Sequence, residues 1–171
     1  MKRDITEITL SGYNIEQRLF TYSYYVGEAR HSIGAPMQQT AGIQASSDDH
    51  TQIGDHIRMA MTETVNLINR YMATCSCAEK NDTEHDGHEL FTLSFIPPAN
   101  YPGELLEELQ KAMESYVVMR TLAMWMTQHK PDEAILTSSE ADKLSLQLRE
   151  LMNCRNKPRK AFTRRRKNIE I

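Results

Sequence analysis

Tyr116-Val-Val-Met-Arg-Thr-Leu-Ala-Met-Trp-Met126 decides the fold. Only Arg120 and Thr121 interrupt an apolar surface that runs round the whole helical wheel. Upstream, Leu106, Leu109, Met113, Tyr116, Val117 and Met124 recur at helical spacing. The segment is therefore predicted to be a helix from about Pro102, a residue favoured in a first turn, to Gln128. Glu104, Glu107 and Glu108 load its positive end. A surface helix keeps a polar face, and this one does not. Either other helices surround it inside the fold, or part of it meets another subunit. Small domains seldom have enough helices to surround one completely, so the reading favours subunit contact through Tyr116, Arg120, Met124 and Trp125. Arg120 then needs a carboxylate or a backbone carbonyl, because burying it unpaired costs several kcal/mol.

Working outward, three further helices are expected. Ile15 to His31 follows Asn14 as N-cap, with Ile15, Leu19, Tyr22 and Val26 inward and Tyr25 and Ala29 alongside; Gly34 and Pro36 stop it. A second begins near Ser47 or Asp48 and carries Ile53, Ile57, Ala60, Met61, Val65, Ile68 and Met72. The last is expected to follow a loop around Pro131 and to start at the capping box Thr137-Ser-Ser-Glu140. It presents Ala141, Leu144, Leu148, Leu151 and Met152, and Pro158 prevents its simple extension. Two short strands are predicted. Ile5 to Leu10 is rich in β-branched residues, and Glu89 to Ile96 places Phe91, Leu93 and Phe95 opposite Leu90, Thr92 and Ser94. Residues 34–49 and Cys75 to His88 read as loops. The expected fold is mainly α, a bundle of about four helices with two short strands and a basic C-terminal extension.

The composition sets the class. With 171 residues, 40% apolar and 25% charged, the chain suits one compact domain with a sizeable core. Ten methionines and seven glycines fit a helix-rich fold with adaptable packing. The formal charge of −3 conceals a division. Residues 1–154 hold twelve Lys/Arg against 22 Asp/Glu, a net of −10. Residues 155–168 hold eight cations and no acid (Arg155, Lys157, Arg159, Lys160, Arg164, Arg165, Arg166 and Lys167). An acidic body, residues 1–154, thus precedes a basic arm, residues 155–171. No run approaches the ~20 apolar residues that span a bilayer, and no secretory leader is read at Met1. Three cysteines make no disulfide framework and suit a reduced, cytoplasmic setting.

Catalytic signatures are missing: no nucleophile elbow, phosphate-binding loop, dinucleotide fingerprint or His-Glu-x-x-His. The expectation is a protein without catalytic residues or cofactor. Cys75-Ser-Cys77 with His85-Asp-Gly-His88 supplies two thiolates and two imidazoles. Its Cys-x-Cys spacing is tighter than structural zinc sites use, so the residues are read as an ordinary surface loop and no metal is assigned. His50 and His56 flank a helix start and are read as solvated. The arm is the sharpest electrostatic feature. It suits an acidic protein neighbour, a copy of the same body included, or nucleic-acid phosphates, or solvent alone. Protein contact is favoured, because the acidic body opposes nucleic acid.

One resemblance joins these parts. Leu90-Phe-Thr-Leu-Ser-Phe-Ile96 is followed by Pro-Pro-Ala-Asn-Tyr101, then by a helix holding Ser115-Tyr-Val-Val and Leu122-Ala-Met-Trp125. Lys130-Pro-Asp-Glu-Ala134, a helix ending Leu148-Arg-Glu-Leu-Met152, and Arg155-Asn-Lys-Pro-Arg159 come next. This succession resembles a family of small structural proteins of tailed phages and prophages from Bacteroides-type gut bacteria. The resemblance implies a virion component, found in host cytoplasm during assembly: a subunit of a homo-oligomeric head–tail connector or adaptor ring. Its partners would be portal and tail proteins, with no membrane. The Arg-rich run after Pro158 and the Cys/His segment lie outside the family pattern.

Overall fold

The computed structural model describes residues 5–32, 44–98 and 100–155. Strand β1, Thr6–Ser11, leads directly into helix α1, Gly12–Ser32. A single 3₁₀ turn, Ser47–Asp49, introduces α2, His50–Ile68. Strands β2, Ala73–Asn81, and β3, Glu89–Ile96, follow. A second 3₁₀ turn, Gly103–Leu105, opens α3, Leu106–His129, and α4, Pro131–Asn153, completes the described chain. The fold is mainly α with a small antiparallel sheet, as the periodicities predict.

The sheet has three strands, not two, in the order β1-β3-β2. Ile8 lies opposite Leu93 and Leu10 opposite Phe91, so one face buries these four with Phe95. The other face pairs Thr9 with Thr92 and Glu7 with Ser94, polar as the alternation requires. On the buried side Cys77 stands opposite Leu93. β2 was expected to be loop. Its only apolar inward residues, Cys75 and Cys77, are half-buried, and the others are exposed. A polar edge strand of this kind carries almost no hydrophobic signal.

The inner face of the sheet and all four helices share one core. α3 lies at its centre. Leu109, Met113, Val117, Val118, Leu122, Trp125 and Met126 are each 2% exposed or less, and Tyr116 only 7%. The apolar wheel of Tyr116–Met126 is therefore covered by the chain's own elements. Three helices and a sheet suffice to surround the fourth, which a count of helices alone underestimates.

Helix ends differ from expectation in instructive ways. α1 begins at Gly12, and Ser11 Oγ accepts the Asn14 N–H at 3.4 Å, so Ser11 rather than Asn14 is the cap. An early start is possible because a Cβ at Gly12 would lie 2.9 Å from the Glu89 carbonyl oxygen. Only glycine lets the helix abut β3 here. The inward face is Gly12, Ile15, Glu16, Leu19 and Ser23; Tyr22 and Tyr25, expected to point inward or alongside, are 43% and 65% exposed. α4 starts at Pro131, six residues before the expected capping box. Proline here is the first residue of the helix, where its missing N–H has no consequence. Thr137 is interior, and its hydroxyl donates to the Glu133 carbonyl at 2.5 Å.

Charged pairs tie the layers. Arg18 meets Glu114 at 3.0 Å and donates to Ser115 Oγ, joining α1 to α3. Arg120 donates to both Glu63 oxygens at 2.7 and 3.0 Å, joining α3 to α2, which is the carboxylate partner expected for it. Tyr116 Oη donates to Glu63 Oε2 at 3.2 Å; burial, then the Glu63 charge, pushes its phenol up to about 12. Both Arg120 and Glu63 are about a third exposed, so the pair contributes about 1 kcal/mol or less.

Candidate functional site

One cluster of chemistry-bearing side chains forms where α1, α2 and the β2–β3 connection meet. The connection, residues 82–88, is closed at its base by the Asp82 N–H donating to the His88 carbonyl at 2.8 Å. At its tip the His88 N–H donates to the His85 carbonyl at 3.2 Å. Gly87 between them has φ +81°, the value a type II turn requires at its third position. Asp82, buried, accepts the Glu84 N–H at 2.9 Å and contacts His85 Nδ1 at 3.1 Å. These contacts, the backbone one first, hold its carboxyl below the usual range. The ring of His85 stacks on Tyr13 of α1 with centroids 3.9 Å apart, and Tyr13 meets the edge of His88 at 5.2 Å. The connection is thus fastened to α1 rather than free.

That fastening delivers His88 to Glu16. His88 Nε2 lies 2.5 Å from Glu16 Oε2, and His50 Nδ1, from the first residue of α2, lies 2.8 Å from Glu16 Oε1. The two imidazole rings approach edge to face at 4.7 Å. Glu16 is 3% exposed and bridges them with one oxygen each. A carboxylate so buried costs several kcal/mol unless its charge is matched. Hydrogen bonding to Glu16, outweighing the desolvation of the ring, raises the His50 pKa above its ordinary value.

The far ring nitrogens complete the pattern. His50 Nε2 faces the Gly87 carbonyl at 3.3 Å, and His88 Nδ1 faces the Asp86 carbonyl at 3.3 Å. Beside the cluster opens a cavity of about 230 Å³, lined among others by Gly12, Gly54, Ile57 and Arg58. Arg58 closes its rim by donating to both oxygens of Glu89 at 3.0 and 2.6 Å.

The residues singled out from sequence fall elsewhere. Tyr116 and Trp125 are buried in the core, and Arg120 and Met124 are half-buried on α3. The subunit contact expected of this helix is thus replaced, for Tyr116 and Trp125, by contact within the chain. Trp125 stacks on His129 at 4.4 Å, and its Nε1 has no partner among the described residues. Arg155 closes α4, one Nη donating to the Met152 and Cys154 carbonyls at 2.6 and 2.7 Å. Lys157, Arg159, Lys160, Arg164, Arg165, Arg166 and Lys167 lie outside the described residues.

The Cys/His set is divided. Cys75 and Cys77 sit on β2, where burial pushes the first thiol up to about 11 and raises the second. His85 pairs with Asp82, and only His88 joins the cluster. His50, expected from sequence to be solvated, is one of its members, and no sequence motif marks Glu16. Its signal lay on the wheel of α1, where a glutamate at position 16 falls beside Leu19 and Gly12 on the inward stripe. Among the described residues Glu16, His50 and His88 form a group whose donor atoms all lie within 4.8 Å of one another, near enough to converge on one ion. No helix among the described residues is long and apolar enough to cross a membrane.

Compared with known proteins, the chain matches no family model, no curated protein and no solved structure.

Proposed function

We propose that this chain is a non-enzymatic structural subunit that assembles through its surface, as one member of a head–tail connector or adaptor ring of a tailed phage or prophage. The observation that carries the reading is a pair of unlike apolar surfaces on a body that already closes its own core. α1 exposes Tyr22, Tyr24 and Tyr25, and α4 exposes Ile135, Leu136 and Leu146, each at least 43% accessible. Head-to-tail contact, the kind that closes a ring, needs two surfaces that differ. The acidic body and the basic arm from Arg155 onward add a second complementary pair. The family resemblance of the Leu90–Arg159 region supplies the virion setting and the portal and tail neighbours.

The test uses two surface variants, Tyr25→Asp and Ile135→Asp, and solution mass. The parent chain is expected to assemble beyond a monomer, alone or with portal and tail proteins. Each variant alone loses that assembly, while their mixture forms a heterodimer through the one intact contact that remains. Parent and variants that stay monomeric with every candidate neighbour would contradict the proposal. Removing residues 156–171 is expected to weaken assembly while the body keeps its melting temperature. Duplex-DNA binding that drops by orders of magnitude from low to moderate salt would instead support the other reading, a nucleic-acid module using the arm.

A further inference from the structure

We infer that Glu16, His50 and His88 form a binding site for one divalent transition metal of the zinc class. The far nitrogens, His50 Nε2 and His88 Nδ1, both face backbone carbonyl oxygens, which only accept. In the tautomer that satisfies both carbonyls, each far nitrogen carries hydrogen. In a neutral ring the other nitrogen is then a lone pair, and His50 Nδ1 and His88 Nε2 both aim theirs at Glu16 oxygens. Lone pair against lone pair, next to a carboxylate 3% exposed, is repulsive unless a cation stands between. One divalent ion does for both rings what otherwise requires a proton on each.

The rest of the geometry agrees with a metal rather than a chance contact. Ligating histidines characteristically donate the other ring N–H to a carbonyl or carboxylate, which fixes tautomer and ring orientation. Both histidines here are placed to do so, His50 toward the Gly87 carbonyl and His88 toward the Asp86 carbonyl. Two imidazoles and one carboxylate are a familiar donor set for zinc and neighbouring ions. With metal–ligand lengths near 2.0–2.1 Å, tetrahedral donors stand about 3.3 Å apart. The present separations of 2.8 and 2.5 Å need to open by less than ~1 Å, and the donors already lie within 4.8 Å of one another. The adjoining cavity leaves room for a fourth ligand. The ion would join α1, α2 and the β2–β3 connection. It does not involve Cys75 and Cys77, which sit on β2.

The experiment uses the full chain, stripped with a chelator and titrated with zinc against a chromophoric competitor. One equivalent is expected to bind in the micromolar range or tighter and to raise the melting temperature. Glu16→Gln, which keeps shape, and His50→Gln, which keeps hydrogen-bonding capacity, are each expected to weaken binding at least about tenfold. The Cys75→Ser/Cys77→Ser pair leaves it unchanged. Circular dichroism verifies the fold of each variant. Should a variant fail to fold, the parent loaded with cobalt decides: weak d–d bands without thiolate charge transfer, and ring signals lost from His50 and His88, support the site. A thiolate band, binding unaffected by the Glu16 and His50 substitutions, or no saturable binding in the micromolar range would each overturn it.

Discussion

Gly12 and Gly54 invite the same substitution with opposite outcomes. A methyl group at Gly12 would press on the Glu89 carbonyl at 2.9 Å, whereas at Gly54, inside α2, it would meet nothing within 4 Å. Gly12→Ala is expected to destabilise the chain by ~1–3 kcal/mol, as overpacking against backbone does. Gly54→Ala is expected to stabilise it by about 1 kcal/mol through helix propensity. Urea denaturation of the two variants beside the parent measures both, and equal signs would refute the close packing of α1 on β3. The residue scale is also where the sequence was least legible. Glu16, His50 and His88 come from three separate elements, and no local spacing relates them. What could be read was that Glu16 interrupts an inward stripe, and that Asp86-Gly87 has the composition of a turn.

Whole elements were far more legible, for reasons that vary with burial. α2 and α3 each bury one face or more over five turns, so their periodicity survives in the sequence and sets their type and position. The start of α4 was misplaced because Thr137-Ser-Ser-Glu140 imitates a capping box, while the true first residue is a proline more often met as a terminator. β2 left no trace in hydropathy because it is an edge strand with a polar outer face. Its two inward cysteines give it a chemical one. Burial pushes the Cys75 thiol up to about 11, so it holds far less thiolate near neutrality than a free thiol. Alkylation at pH 8, followed by peptide mass spectrometry, should proceed far more slowly at Cys75 and Cys77 in the folded chain than in urea. Comparable rates in both states would show that β2 does not pack against the core.

For the molecule as a whole, two histidines bend the pH dependence of stability in opposite directions. Burial holds the His56 imidazole below its ordinary value, with His129 pushing the same way and Asp55 opposing. The unfolded chain then takes up a proton below about pH 6.5 that the folded chain refuses, so stability falls as the pH falls through that region. His50 works the other way. Its pKa is raised, so its contribution is present below about pH 6.5 and is lost as the pH rises through the folded value. In metal-free buffer, His56→Leu is therefore expected to gain on the parent as the pH is lowered from 7.5 to 5 (roughly one unit either side of the histidine range). It also removes the His56 Nδ1 that has no partner among the described residues. Stability curves that stay parallel across this range would refute the assignment.

Trp125, the chain's single tryptophan, lies 2% exposed on α3 with its ring against His129 one turn further on. The molecule therefore carries a built-in optical gauge at its centre. Its ultraviolet emission reports whether the core around α3 is closed, with no dye attached and no surface altered. Folding and unfolding of this chain can be followed by that one chromophore.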